Sequence, residues 1–340
     1  MKEYMLGIDV GTSSVKVAAV SGEGGLLGIQ SGKIGITRRR PLWAEQDMDV
    51  LWEVTASCIR ACLENTGLKG EDIAVVCCAG QGDGAWMINA DGRPLGLAPL
   101  WCDNRAASII EKWEEDGILA EVYSKNASIL WPGSLAGIMA WHRDNDPESL
   151  KKLHKALCCK DWINYCLTGN IATDTTDGTI PFSNIKDRRL DEEILSLLEL
   201  DFLNDKLPPV KNSSSVIGDI TPQAAALSGL ARGTPVVTGC LDVAANAVGA
   251  GVVEPGQALL ILGTTSLLAA DIGKAPEDNR NVGASLIHAV EDQWLRVFGA
   301  QSGTPNVDWM GSAFNIFRKG GEKTIDFIEM DRLIEKAPAG

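Results

Sequence analysis

The chain has 340 residues, 45% of them hydrophobic, with 45 acidic side chains against 31 basic ones and a formal charge of −14. That is enough chain for two domains of ordinary size, each with a core. The acidity argues against a broad basic surface for nucleic acid or anionic lipid, although backbone amides and a divalent metal can still hold a phosphate locally.

The first residues lead straight into an apolar run, Tyr4 to Ile8, with no signal-peptide core. The longest small-and-apolar stretch, Val236 to Gly251, is broken by Asp242 and Asn246, so no membrane helix is expected. Nine cysteines show no C-x-x-C pair, which fits neither a zinc site nor a disulfide framework and suits a reduced, cytoplasmic protein. His142, His154 and His288 have no metal-ligand spacing and read as surface or structural residues. Chemistry therefore has to rest on carboxylates, hydroxyls and backbone.

Tyr4–Ile8 and Lys16–Val20 read as strands, and Ser21-Gly22-Glu23-Gly24-Gly25 as a turn before a further strand near Leu26. Between the first two lies the most informative segment, Asp9 followed by Gly11, Thr12, Ser13 and Lys16. A carboxylate, a Gly-containing turn, hydroxyls and a cation are the parts needed to hold a magnesium–triphosphate. The spacing fits neither of the common Gly-rich nucleotide loops, and an ordinary hairpin turn accounts for the same residues.

Asp47 reads as the N-cap of an amphipathic helix with apolar residues from Val50 to Cys62, ended by Gly67. Ile73–Cys78 reads as a buried strand running into Gly80-Gln81-Gly82-Asp83-Gly84, followed by a short hairpin. Trp101, Asp103 and Arg105 precede a charged helix over about 106–116. A second helix is predicted over 156–169 and a polar loop over 173–177. Thr234–Thr238 reads as a strand feeding Gly239 and Asp242, residues 243–249 as a helix or tight turn, and Ala258–Leu262 as a strand feeding Gly263, Thr264 and Thr265. Strands alternate with helices, so the expected class is α/β. The two strand–Gly–Thr–Ser segments suggest a duplicated fold, with a boundary near 243–254.

Taken in order, Asp9 with Gly11-Thr12-Ser13, Trp43-Ala44-Glu45-Gln46-Asp47, Trp101 with Asp103 and Arg105, Asp161-Trp162-Ile163 with Leu167-Thr168-Gly169, Asp242, and Gly263-Thr264-Thr265 resemble the FGGY family of carbohydrate kinases. The resemblance implies an actin- or hexokinase-like (ribonuclease H-like) pair of domains, here 1–243 and 244–340, the second cut short. It implies ATP and Mg²⁺ as cofactors and a small-molecule sugar or polyol as partner. No nucleic acid or membrane partner is implied, and a homodimer is allowed.

In that reading Asp242 is the catalytic base and also touches substrate, while Gln81, Asp83, Trp101 and Asp103 bind the sugar. Asp9 holds the metal, and Gly11, Thr12, Ser13, Lys16, Gly263, Thr264, Thr265 and Gly303 meet the nucleotide. Ser302 and Asn306 align loosely with the nucleotide cleft. Trp86 reads as core. The segment at 80–84 looks more like that of L-xylulose and erythritol kinases than the Met-His version of D-xylulokinases or the Arg-Glu version of glycerol kinases. A non-catalytic sugar-binding remnant is the rival expectation, since the adenosine-binding segments of the family lie beyond the stretch that this chain matches.

Overall fold

The computed structural model describes residues 3–178, 180–263, 266–277, 282–300, 303–313 and 325–338. Its first half is built on a six-stranded sheet. Strands β1 (Tyr4–Val10), β2 (Ser14–Ser21) and β3 (Leu26–Lys33) form an antiparallel meander. On the other side of β1 lie β4 (Ile73–Gly80), β5 (Val216–Asp219) and β6 (Pro235–Leu241), in the spatial order β5-β6-β4-β1-β2-β3. Both β1 and β6 run parallel to β4. Their C-terminal ends therefore reach one edge together, the edge at which open α/β sheets place their ligands.

Residues Leu6, Ile8 and Val10 alternate into the core, as do Val15, Val17 and Ala19. They meet helix α1 (Met48–Thr66), whose N-cap Asp47 accepts from the N–H groups of Asp49 and Val50. Gly67 ends it in the left-handed conformation at φ 70°, where a residue without Cβ is favoured. Helix α2 (Cys159–Thr168) packs beside β6 and β4, and its Trp162 Nε1 donates to Met48 O at 2.8 Å, which ties the two helices together.

The helix predicted to begin at 156 starts later. Lys155–Leu157 is a short strand paired with Trp86–Ile88, and α2 begins at Cys159. Trp86 is fully buried, as its core reading requires. The stretch 173–177, expected as a polar loop, is a short strand and a turn, and most of it is buried. Thr173–Asp174 pairs in parallel with Val210–Lys211, and Thr173, Asp174, Thr176 and Asp177 are all buried. A second apolar cluster around Trp113, Val122, Ile138, Met139, Phe182 and Leu195 is helical in its middle part. The helix Leu135–Asn145 within it is buried all round from Leu135 to Ala140, so it carries no one-sided apolar period to announce it.

After β6 comes helix α3 (Asp242–Gly249), then a four-stranded sheet of β7 (Ala258–Leu262), β8 (Ser266–Asp271), β9 (Ala284–Ile287) and β10 (Trp294–Ala300) in the order β7-β8-β10-β9. Buried Ala269, Leu295 and Val297 pack with Ala244 and Ala247 of α3. Leu260, Leu268 and Phe298 face one another across three strands and remain exposed, as does Trp309 on the helix Pro305–Ala313.

Candidate functional site

Three strand ends build the site. Asp9 is the penultimate residue of β1, Gly80 closes β4, and Asp242 directly follows β6. Asp9 is level with Ala79 and Leu241 with Gly80. With β4 between them, β1 and β6 lie two strand spacings apart, about 10 Å.

Gly11–Ser14 is the turn of the β1–β2 hairpin, closed by Gly11 N–H donating to Ser14 O at 3.0 Å. The hairpin reading of this segment is therefore correct for the backbone. Ser13 is exposed and its hydroxyl has no hydrogen-bond partner among the described residues. Lys16 sits directly across from Asp9 in the β1–β2 register, and its Nζ lies 3.1 Å from Asp9 Oδ2. Both side chains are about half exposed. Lys16 is thus engaged by the carboxylate expected to hold metal.

Thr12 reaches inward. Its hydroxyl donates to Gln81 Oε1 at 2.9 Å and accepts from Trp101 Nε1 at 2.9 Å. Gln81 Nε2 donates to Gln46 Oε1 at 3.0 Å, and Gln46 Nε2 donates to Thr12 O at 2.6 Å. Thr12, Gln81 and Gln46 thus close a ring of hydrogen bonds, with Trp101 attached. The turn expected to meet phosphate is joined through this ring to residues expected to meet the sugar. Gln46 was legible only as part of a motif, because a lone glutamine carries no chemical signal of its own.

Asp83 is buried with its backbone at φ 55°, a left-handed conformation that Asp tolerates better than most residues. Its Oδ1 accepts one long bond, 3.3 Å, from Leu135 N–H. Burial pushes its carboxyl up to about 7, only partly offset by that bond. Asp103 is placed differently. Its two oxygens take the N–H of Ala44 (2.7 Å), the N–H and Nε of Arg105 (both 2.9 Å) and Arg105 Nη2 (2.9 Å). Arg105 also reaches Glu45 at 2.8 Å and lies 3.8 Å from the Trp43 ring centroid. Burial alone drives Glu45 upward, but its bonds to Arg39 and Arg105 outweigh this and hold it below the usual carboxylate range. Asp103 is accordingly a buried fastener of the Trp101 loop with its acceptor capacity in use.

Asp242 is the first residue of α3 rather than its N-cap, and Oδ1 accepts from Val243 N–H at 2.7 Å. Burial pushes its carboxyl up to about 7, the Val243 bond opposes this, and the charge of Asp9 adds to the rise. The Asp9 charge is thus close enough to be felt at Asp242. A carboxyl held near neutrality is suited to take a proton from an alcohol.

The second nucleotide segment is described only in part. Thr304 N–H donates to Gly263 O at 2.7 Å, and Asn306 N–H donates to Gly303 O at 3.0 Å, so Gly263 and Gly303 belong to adjoining turns. Thr264, Thr265 and Ser302 lie outside the described residues. The three histidines fit their structural reading where they are buried. His288 Nε2 is 2.9 Å from Val252 O, and burial, assisted by the Arg105 charge, pushes His142 down to about 4.

Sequence reasoning missed the cluster behind the site. Lys160, fully buried at the start of α2, lies 2.6 Å from Asp161, 3.1 Å from Asp174 and 3.3 Å from Asp177. The available signal was a lysine directly before Asp161-Trp162, in a helix turn with no solvent-facing period.

Among the described residues no helix is long and apolar enough to cross a membrane. Curated relatives include L-xylulose/3-keto-L-gulonate kinase of Escherichia coli, 34% identical over 267 residues, covering 78% of this chain and 53% of that protein. Another is erythritol kinase of Brucella abortus, 30% identical over 319 residues, covering 91% of this chain and 60% of that one. The chain thus spans a little over half the length of these relatives. The solved xylulose kinase of Rhodospirillum rubrum superposes with a TM-score of 0.89 at 20% identity over 99% of this chain and 68% of that one, so the actin- and hexokinase-like α/β fold is shared. Residues 4–249 match the N-terminal domain of the FGGY carbohydrate kinases, and the chain belongs to that family.

Proposed function

We propose that the protein transfers the γ-phosphoryl group of ATP to a hydroxyl of a small sugar or polyol, a pentulose such as L-xylulose or a polyol such as erythritol. The observation that carries this reading is the meeting of Asp9, the Thr12–Gln81 ring and Asp242 at one sheet edge. Asp242 takes the proton of the attacking hydroxyl. Gln81, Asp83 and Trp101 line the sugar side, and Asp103 supports them through the Trp101 loop.

The residues fit a magnesium–triphosphate. Asp9 is half exposed and engages Lys16 through one oxygen only, which suits a water-mediated Mg²⁺ contact. Bound magnesium would neutralise charge on the β- and γ-phosphate oxygens. Gly11 and Ser13, with the backbone of Thr12, meet the terminal phosphates, while the Thr12 side chain faces the sugar side. Lys16 turns from Asp9 to phosphate or neutralises the pair. Gly263, Thr264, Thr265 and Gly303 serve the nucleotide from the second domain. Residues 1–243 form the first domain and 244–340 the start of the second, and the protein works in the cytoplasm.

A second reading has one observation in its favour. The chain spans 53% and 60% of its kinase relatives, which suits a sugar-binding fragment without transfer. The test is a coupled ADP-release assay with pentuloses, pentitols, tetritols and glycerol, run beside a thermal-shift screen. Sugar-dependent ADP release supports the kinase. Stabilisation by sugar with no release supports the fragment. Neither effect with any of these compounds overturns the sugar-site assignment.

A further inference from the structure

Asp242 is the first residue after β6, so its aim depends on how that strand end is held. Leu241, the last strand residue, donates its N–H to Thr176 Oγ1 at 2.7 Å. The same hydroxyl donates to Asp174 Oδ1 at 3.1 Å, and Thr176 N–H donates to Asp174 Oδ2 at 3.0 Å. Asp174 is fixed from three further directions: Ser213 Oγ at 2.6 Å, Asp177 N–H at 3.3 Å and Lys160 Nζ at 3.1 Å. Lys160 is itself anchored to Asp161 at 2.6 Å.

From this geometry we infer that Thr176, held by Asp174, is a positioning residue for Asp242, an inference that rests on Asp242 being the base. The direction of the hydroxyl is set by its partners. The Leu241 N–H can only donate, so an oxygen lone pair of Thr176 meets it and the hydroxyl proton is left for Asp174. Consecutive Cα atoms are about 3.8 Å apart across a rigid peptide. A shift of Leu241 is therefore passed almost whole to Asp242. The β6–β4 ladder is irregular between Val237 and Cys240 and resumes only for Cys240–Ala79 and Leu241–Gly80, so Thr176 adds a side-chain anchor to the last paired residue before Asp242. A misplacement of about 1 Å at a reacting group costs on the order of a hundredfold in rate.

The test compares Thr176→Val, which keeps the shape but removes the acceptor, with Thr176→Ser, which keeps the hydroxyl, and with Asp242→Asn. Crystal structures and sugar-dependent phosphorylation are measured for each. Thr176→Val is expected to displace the Asp242 carboxylate by about 0.5–1 Å and to lower kcat roughly 10- to 100-fold with the sugar KM within about threefold. Thr176→Ser is expected to restore both. An unmoved Asp242 in Thr176→Val, or equal damage in the serine variant, overturns the inference. If the unaltered chain transfers no phosphate, the crystal comparison decides alone. If Asp242→Asn keeps the rate, the base reading itself fails. If Asp242→Asn is inactive while Thr176→Val has normal kcat, only the positioning role fails. Should Thr176→Val not fold, Ser213→Ala, which removes a single bond to Asp174, carries the same two measurements. In that case a carboxylate and a kcat both unchanged overturn the role.

Discussion

The buried Lys160 cluster permits a demanding test of how this half of the fold is held together. Three carboxylates, those of Asp161, Asp174 and Asp177, lie within 3.3 Å of one ammonium, and all four side chains are essentially without solvent. Burial drives Asp177 well above the usual carboxylate range and raises Asp161, although the Lys160 charge pulls both down. Replacing Lys160 by Met keeps much of the volume and removes the only cation seen to pair with them among the described residues. Breaking a buried ion pair from one side costs about 3–5 kcal/mol, and three orphaned acids place this variant at the upper end. The loss has a defined pH dependence. An aspartate whose folded pKa lies above its unfolded value of about 3.9 binds more protons in the native state between the two values, so its contribution to stability falls as pH rises. The variant should therefore lose less at pH 5 than at pH 8, where the acids must ionise without a partner. Urea unfolding followed by tryptophan fluorescence at both values measures this. A loss under about 1 kcal/mol at pH 8, or one equal at the two pH values, would refute the account of the cluster.

Other expectations follow from the same geometry. Asp242→Asn should lower kcat by about 10²–10⁴-fold with folding intact, and a normal rate would remove Asp242 from the chemistry. For the unaltered protein kcat should rise with pH through about 7 and then level, because burial raises Asp242 to about 7 and a base works ionised. Magnesium beside Asp9 should move that midpoint downward, and a rate independent of pH between 5 and 9 would contradict it. Asp103→Asn should cost about 1.5–3 kcal/mol, because it removes the carboxylate charge that holds Arg105 Nε and Nη2 while Glu45 still pairs with the guanidinium, whereas a specific loss of sugar affinity at unchanged stability would return Asp103 to the substrate. Gly239→Ala should be severely destabilising, since Gly239 sits at φ 71° and a Cβ there would overlap Cys78 O. Thermal unfolding within about 2 °C of the parent would refute that steric claim.

Much of this arrangement was legible in the chain because short-range physics wrote it. The strands at Tyr4, Ile73 and Ala258 start where their apolar runs start, and the Asp47–Gly67 helix ends where its cap residues say it should. The edge carrying Asp9 and Asp242 could be anticipated because a carboxylate at a strand end has few structural uses. What was not legible depended on distant partners. Asp103 carries the same charge as Asp83, yet one is saturated by Arg105 and Ala44 while the other takes a single long bond. Nothing local in the sequence separates them. The buried run 173–177 looked like a polar loop because the cation that pairs with it, Lys160, comes thirteen residues or more earlier in the chain, and Ser213 comes far later.

The ring of Thr12, Gln81 and Gln46, with Trp101 attached, ties the β1–β2 turn to the chain that leaves β4. Thr12 belongs to the phosphate-side turn, and its hydroxyl is shared between Gln81 and Trp101. Each member of the ring supplies both a donor and an acceptor, so rotating one amide would place two like atoms against each other. Under the proposed function, an alcohol that entered the ring would have to take over a bond that Thr12 or Gln46 makes to Gln81.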